Sequence, residues 1–230
     1  MIRLFSFLIC LISSFAAAQS VALLSVKKMH ENKDTFLYRI SPEKADQAQY
    51  LAELEVRGIP SDEAALFRMF YKEAKTTGAN SYTLAPNLRE KKADSAVDPM
   101  QYRVHLYYTD PAVLNKEYNT AYVLNPLNKE QRFSLDGKVI HLPAKSYVRI
   151  PLTEKITTLS TRKFLGASVK LKAQPMQEAL YFQLKGFSVT TGNEPGLNFS
   201  SSDFIRLETS YAQFLTLTYS QISNSQPHEN

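Results

Sequence analysis

The sequence predicts an α+β protein: a small layered domain, in which an antiparallel sheet packs on a helix, followed by a β-sandwich with a C-terminal helix. Two observations predict this class. A strand, a helix and a second strand follow one another between Ala48 and Leu84, whereas the chain from about Ala121 to Thr190 consists of short apolar stretches separated by turn residues. The 13 Tyr and 13 Phe residues also favour a chain dominated by strands.

Residues 1–18 form a predicted secretory signal peptide. Arg3 precedes an apolar stretch from Leu4 to Phe15, and Ala16-Ala17-Ala18 has the small-residue pattern of a cleavage site. The apolar stretch is shorter than the ~20 residues that span a bilayer, so cleavage is favoured over an uncleaved anchor. We therefore expect an exported protein, periplasmic or extracellular, without a transmembrane segment after cleavage.

Cleavage after Ala18 removes Cys10, the only cysteine. The mature chain is then expected to form no disulfide, no thiolate metal site and no cysteine nucleophile. The formal net charge of +5 falls to +4 because Arg3 leaves with the signal peptide. This modest positive charge is compatible with an anionic envelope polymer or lipid headgroups as partner. The scattered Lys and Arg residues do not predict nucleic-acid binding.

The first domain is predicted at residues 19–112. Apolar and charged side chains alternate up to Arg57, which is the pattern of a half-buried strand. Ser61 is expected to cap a helix, and Gly78 to end it in a left-handed conformation before the next strand. The apolar stripe of this helix is formed by Phe67, Phe70, Tyr71 and Ala74.

Further elements of this domain follow from composition and alternation. A polar loop is predicted from Pro86 to Pro99, and an alternating strand over residues 101–108. One or two more strands are expected between Val21 and Ile40.

The second domain is predicted at residues 113–222, with short strands and turns. Asp136-Gly137 and Pro143-Ala144-Lys145 are predicted turns, so residues 134–152 are interpreted as scaffold that closes a sheet. A terminal helix is predicted because apolar residues recur at helical spacing, and residues 223–230 are predicted to be a disordered tail. The residues of this helical pattern are Tyr211, Phe214, Leu215, Tyr219 and Ile222.

Two parts of the chain resemble known bacterial modules. Residues 119–190, with the Asp136-Gly137 turn followed by an apolar strand, resemble the small PEGA-like β-sandwich domains of exported proteins. Residues 48–84, whose helix ends before Gly78-Ala79-Asn80, resemble a strand-helix-strand unit of small envelope and stress-related proteins. The PEGA-like resemblance implies a binding or spacer module and brings no catalytic residues with it.

Glu53 and Glu55 are the candidate catalytic residues. They lie two apart on one face of the predicted strand, where paired carboxylates could serve a glycan-directed hydrolase. The alternative interpretation is that they form the wet face of the strand, with Arg57 as a partner. No G-x-S-x-G, Walker or G-x-G-x-x-G motif is present, so no cofactor is expected.

Histidines and tyrosines supply weaker candidates. The histidines lack the spacing of metal ligands, and the two that lie on the polar sides of predicted strands are explained as solvated side chains. Three strand tyrosines could stack on sugar rings, or they could pack within the sheets. The residues concerned are His30, His105, His141 and His228, and Tyr107, Tyr147 and Tyr181.

Taken together, the residues favour a non-enzymatic exported protein that binds an envelope protein or an anionic polymer. A glycan hydrolase that uses Glu53 and Glu55 is the alternative from another functional class. A structural subunit that assembles through exposed strand edges is a third hypothesis.

Overall fold

A computed structural model describes residues 19–57, 62–86, 97–112, 114, 116–161, 168–185, 189–190, 198–199 and 204–223. The chain divides into two compact units, Met1–Leu114 and Asn115–Asn230. The predicted signal peptide, most of the predicted loop between Pro86 and Pro99, and the tail from residue 224 lie outside the described residues.

The first unit contains a five-stranded sheet with the strand order β1-β3-β5-β4-β2. Its elements are β1 (Ser20–Val26), β2 (Tyr38–Arg39), α1 (Pro42–Ala45), β3 (Gln49–Arg57), α2 (Glu63–Thr76), β4 (Ser81–Leu84) and β5 (Gln101–Tyr108). The sheet was predicted to be antiparallel, and this is wrong at one edge, where β2 runs parallel to β4. Strand β2 has only two residues, which are too few for the sequence to predict whether it pairs parallel or antiparallel with its neighbour.

Helix α2 covers one face of this sheet. Leu66, Phe70 and Ala74 are its buried residues, and the Phe70 ring meets the edge of Tyr82 on β4 at 5.2 Å. The helix begins one residue later than predicted, because Asp62 rather than Ser61 is the N-cap and accepts a hydrogen bond from Ala65 N (2.8 Å).

The C-terminal end of α2 forms hydrogen bonds with the segment 27–37, which connects β1 to β2. Gly78 has φ +80°, as predicted, and a Cβ atom there would lie 1.7 Å from the backbone oxygen of His30. His30 N donates to Thr77 O (3.0 Å), and Asn32 Nδ2 donates to Gly78 O (3.1 Å). Glycine is therefore required both by the backbone conformation and by the close approach of the segment.

Asn80, two residues later, is a buried hydrogen-bonding centre. Its Nδ2 donates to Thr109 O (2.7 Å) and to Asp34 Oδ2 (2.9 Å), while its Oδ1 accepts from Thr109 N (2.8 Å). The carboxamide thereby fixes the chain at the end of β5 and the segment 27–37 together. Each residue of the Gly-Ala-Asn sequence has a structural reason, since Ala79 is also fully buried.

The described residues of the second unit form two large sheets, one two-stranded sheet and one helix. Its elements are β6 (Thr120–Asn125), β7 (Gln131–Leu135), β8 (Lys138–Leu142), β9 (Ser146–Pro151), β10 (Thr157–Ser160), β11 (Ser168–Leu171), β12 (Leu180–Leu184), β13 (Val189–Thr190), β14 (Asn198–Phe199), β15 (Phe204–Leu207), α3 (Thr209–Leu215) and β16 (Ser220–Ile222). The strand orders are β11-β10-β7-β8 and β15-β12-β6-β9-β16, and β13 pairs with β14.

The two large sheets pack face to face as a β-sandwich. Their common core contains Phe133 and Leu159 from the four-stranded sheet, and Val123, Val148 and Phe182 from the five-stranded sheet. Helix α3 covers the other face of the five-stranded sheet through a second apolar cluster. The predicted α+β class is confirmed.

The first of the two predicted turns in residues 134–152 closes a hairpin between β7 and β8, whereas the second leads from β8 to β9 in the other sheet, so the prediction that the stretch closes one sheet is wrong for the second turn. Asp136 and Gly137 both have positive φ (49° and 85°), the conformation of the tight turn that suits a hairpin, and Leu135 pairs with Lys138. The next connection is fixed by Asn125, which is fully buried and whose Nδ2 lies 2.9 Å from Leu142 O and 2.7 Å from Pro143 O.

The predicted terminal helix is too long. Helix α3 ends at Leu215, and Ile222 belongs to β16, which pairs with β9. The helical spacing continued to Tyr219 because Tyr219, although beyond the helix, is buried in the same apolar cluster as Ala212 and Leu215. The spacing of the apolar residues therefore predicts that Tyr219 is buried, but it does not predict where the helix ends.

Gly78→Ala is expected to destabilise the protein more than Gly137→Ala does. Both glycines have positive φ, which costs alanine about 1 kcal/mol, but nothing lies within 4 Å of a Cβ atom at Gly137. At Gly78 the segment 27–37 must also move, so we expect a loss above about 3 kcal/mol. Urea denaturation followed by circular dichroism measures both losses, and equal losses would contradict the close approach of His30.

Candidate functional site

Glu53 and Glu55 lie on the face of the first sheet opposite helix α2, where they join an ion-pair network. Arg57 Nη2 lies 2.8 Å from Glu55 Oε2, and Gln101 Nε2 donates to Glu55 Oε1 (2.9 Å). Arg103, on the neighbouring strand β5, contacts both carboxylates, at 3.5 Å from Glu53 and 3.7 Å from Glu55. The partner Arg57 was predicted, but Gln101 and Arg103 were not, because their strand pairing with β3 is not visible in the sequence.

The two carboxylates differ in burial. The side chain of Glu55 is 5% exposed and that of Glu53 is 22% exposed. Burial by itself raises the pKa of Glu55, but hydrogen bonds from Gln101 and Arg57 and the charges of Arg57 and Arg103 outweigh it, so the pKa is lowered.

A lowered pKa is the opposite of what a general acid needs. Glycosidases keep one carboxyl group protonated near neutral pH by raising its pKa, whereas Glu55 is held ionised by arginine. The geometry of Glu53 and Glu55 is that of a neutralised sheet face, in which two arginines and an amide compensate the buried charge.

Three of the four histidines lie among the described residues, each in a local contact. His30 stacks on Tyr108, with ring centroids 3.7 Å apart, and His105 makes an edge contact with Tyr50 at 5.4 Å. His141 Nδ1 lies 2.9 Å from Glu130 Oε1. Within the described ranges, no three His, Cys, Asp or Glu side chains form a group that could hold a metal ion.

The tyrosines considered for sugar stacking are buried. Tyr181 stacks on Tyr122 with centroids 4.8 Å apart, beneath helix α3, and Tyr147 donates a hydrogen bond to Gln221 (3.2 Å). Tyr107 packs in a small cluster with Ile40. These rings fill the interior of the units and leave little surface for a sugar.

Lys75, near the end of α2, is a further residue whose pKa is shifted, and sequence analysis did not identify it as a candidate. Burial lowers its pKa to about 8, although the nearby Asp34 acts in the opposite direction. Its Nζ donates to the backbone oxygens of Phe36 and Ala79. The lysine thereby ties the segment 27–37 to the helix end, which is a structural role.

Most carboxylates that the structure describes in the second unit make ion pairs or hydrogen bonds within it. Three glutamates form ion pairs: Glu117 with Arg149 (2.6 Å), Glu130 with Arg132 (3.1 Å), and Glu178 with Lys116. Glu208 caps α3 by accepting from Ser210 N and Tyr211 N, and Asp136 accepts from Thr158 N.

Several lysines of this unit, in contrast, stand without a carboxylate partner in the part of the chain that the structure describes. They are exposed side chains on strands and loops of the four-stranded sheet and its connections, and the sequence did not distinguish them from a mixed surface. These residues are Lys138, Lys155, Lys170 and Lys172.

Comparison with protein-family models, with curated proteins and with solved structures finds no match to this chain. Among the described residues, no helix combines the length and the apolar character needed to cross a bilayer.

Replacing Glu55 with Gln is expected to flatten the pH dependence of stability in acid. Because the folded-state pKa of Glu55 is lowered, its ionised form contributes stability that is fully present above about pH 4.5 and is lost as pH falls through the folded-state pKa. Glu55→Gln should lose roughly 1–2 kcal/mol at neutral pH and converge with the wild type in acid. Glu53→Gln is the control on the same face.

The free energy of unfolding, measured in urea at neutral pH and at about pH 3, tests this. Parallel pH profiles for wild type and Glu55→Gln would show that the buried ion pair does not contribute.

Proposed function

We propose that this chain is a non-enzymatic, exported protein that acts by binding, and that its second unit contacts an anionic component of the cell envelope. The observation that carries the proposal is the distribution of charge. Residues 115–230 contain 13 basic and 9 acidic residues, whereas residues 1–114 contain 14 and 13. Once Arg3 is removed with the signal peptide, the first unit is balanced and the net charge of +4 lies in the second.

The internal contacts of the second unit strengthen this asymmetry. Glu117, Glu130 and Glu178 are ion-paired with basic residues, so their charges are locally compensated. Among the described residues, lysines without a carboxylate partner, such as Lys138 and Lys170, therefore contribute positive charge that no neighbouring acid compensates. A surface of this kind attracts polyanions and anionic headgroups over a distance of about one Debye length, ~8–10 Å at physiological salt.

The alternative, a glycan hydrolase using Glu53 and Glu55, receives less support. Both carboxylates contact Arg103, and the pKa of Glu55 is lowered rather than raised. The double variant Glu53→Gln/Glu55→Gln would abolish hydrolysis of envelope glycans if the alternative held. Under the proposed function, the same variant retains envelope binding at neutral pH as long as it remains folded.

Cosedimentation of the protein with isolated cell-envelope fractions tests the proposal. Binding is expected to weaken as salt rises, because the attraction is between exposed charges. Lys170→Glu, on β11 in the second unit, should weaken binding at low salt by about fivefold. Lys72→Glu makes the same charge change on an exposed position of helix α2 and should have little effect.

Absence of binding, or equal losses for Lys170→Glu and Lys72→Glu, would contradict an anionic partner on the second unit. Binding that persists at high salt would instead indicate a specific protein partner in the envelope.

A further inference from the structure

One end of the second unit brings together two connections, residues 152–156 between β9 and β10 and residues 172–179 between β11 and β12. We call these two connections the paired loops. Asn119 joins them: its backbone oxygen accepts from Leu152 N (2.8 Å), its Oδ1 accepts from Gln174 N (3.0 Å), and its N donates to Gln177 O (2.8 Å). Ala173 N also donates to Thr153 O (2.8 Å), so the loops lie side by side.

The paired loops carry the two most exposed large apolar side chains of the second unit among the described residues. Ile156 is 61% exposed and Met176 is 75% exposed. Tyr118, next to Asn119 and bridged to Glu178, is also exposed. Single exposed apolar residues are common on protein surfaces, but the grouping of three at one end of a sandwich points to a contact site.

Met176 is also unfavourable for its own turn. The turn runs from Gln174 to Gln177, whose N donates to Gln174 O (3.2 Å), and Met176 occupies its third position with φ 56°. Proline, here Pro175, is usual at the second position, but glycine or asparagine is usual where φ is positive. Neither packing nor turn chemistry favours an exposed methionine with positive φ at this position, and this supports a contact role for Met176.

The charged residues next to these apolar side chains indicate which kind of partner the paired loops would bind. Lys155 directly precedes Ile156, and Lys172 lies at the start of the second loop. Glu154 is the opposing acid, while Glu178 is already paired with Lys116. Apolar side chains flanked by lysines match the interface of an anionic bilayer, where acyl chains accept the apolar groups and headgroup phosphates meet the cations.

A lipid surface also fits the small size of the contact. A stable protein interface takes about 20–30 residues from each side, many more than the paired loops expose. A fluid bilayer adapts to a few projecting side chains, and insertion of two apolar residues with adjacent lysines gives reversible binding.

We propose that the paired loops dock on an anionic lipid surface, with Ile156 and Met176 inserted at the headgroup level and Lys155 and Lys172 on the phosphates. This inference rests on the proposed function, because it names the lipid surface as the anionic partner. It adds a requirement for apolar insertion that electrostatic attraction alone does not have.

Met176→Gly separates insertion from folding. Glycine relieves the positive φ, so the variant should be at least as stable as the wild type in urea. Its affinity for vesicles of equal parts phosphatidylglycerol and phosphatidylcholine should nevertheless fall about tenfold. Its affinity for dextran sulfate, a soluble polyanion with no apolar phase, should remain unchanged. Met29→Gly, at an exposed methionine of the first unit, is the matched control and should retain vesicle binding.

A labelled variant reports insertion directly. The only cysteine of the sequence is Cys10, within the predicted signal peptide, so Ile156→Cys in the chain from Gln19 onward offers a single labelling position. An environment-sensitive fluorophore at this position should shift to the blue when the vesicles are added, and the same fluorophore on Met29→Cys should not shift.

The outcomes distinguish the two proposals. Vesicle binding that is equal in wild type and Met176→Gly, or no spectral shift at position 156, overturns the inference. If binding to dextran sulfate and to envelope fractions persists in that case, the proposed function stands. If the wild type binds none of the vesicles, dextran sulfate and envelope fractions, both proposals fall.

Discussion

The fold of both units depends on asparagine carboxamides that are fully buried where strands end. A carboxamide both donates and accepts, so it can satisfy backbone groups that leave a sheet and would otherwise be buried without partners. Asn80 bonds both the N–H and the oxygen of Thr109 in the first unit. Asn125 lies within hydrogen-bond distance of the oxygens of Leu142 and Pro143 in the second. Replacing either asparagine with an apolar residue would leave several buried backbone groups without a hydrogen-bond partner, so substitution at these positions is expected to destabilise the fold.

The sequence predicted those elements whose conformation is determined by residues close together in the chain. The strand up to Arg57, the left-handed Gly78 and the Asp136-Gly137 turn each follow from backbone geometry at one place in the chain, and the structure has them. The predicted half-burial of that strand is wrong, since Leu54, Glu55 and Val56 are all buried. The strands β10, β15 and β16 were not predicted, because they are three or four residues long and gain their stability from neighbours distant in sequence. For the same reason the partners of Glu55 on β5 could not be predicted, whereas Arg57 on its own strand could.

Charge is organised differently in the two units. In the first, the buried carboxylate of Glu55 is compensated by arginines on its own and the neighbouring strand, so the sheet face is locally neutral. In the second, acids such as Glu117 and Glu208 serve internal contacts, and the surplus of lysine faces solvent. The paired loops combine this surplus with exposed apolar side chains, so electrostatic attraction over several ångströms and apolar contact at short range would act at the same surface.

The parallel pairings of the second unit have a consequence for the order of folding. Strand β6 lies between β9 and β12, and β9 receives its outer neighbour β16 from residues 220–222 at the end of the described chain. The five-stranded sheet therefore cannot be completed until nearly the whole unit is available, and long loops must close before these contacts form. The second unit is therefore expected to fold late and as a whole, after its last strand has been supplied.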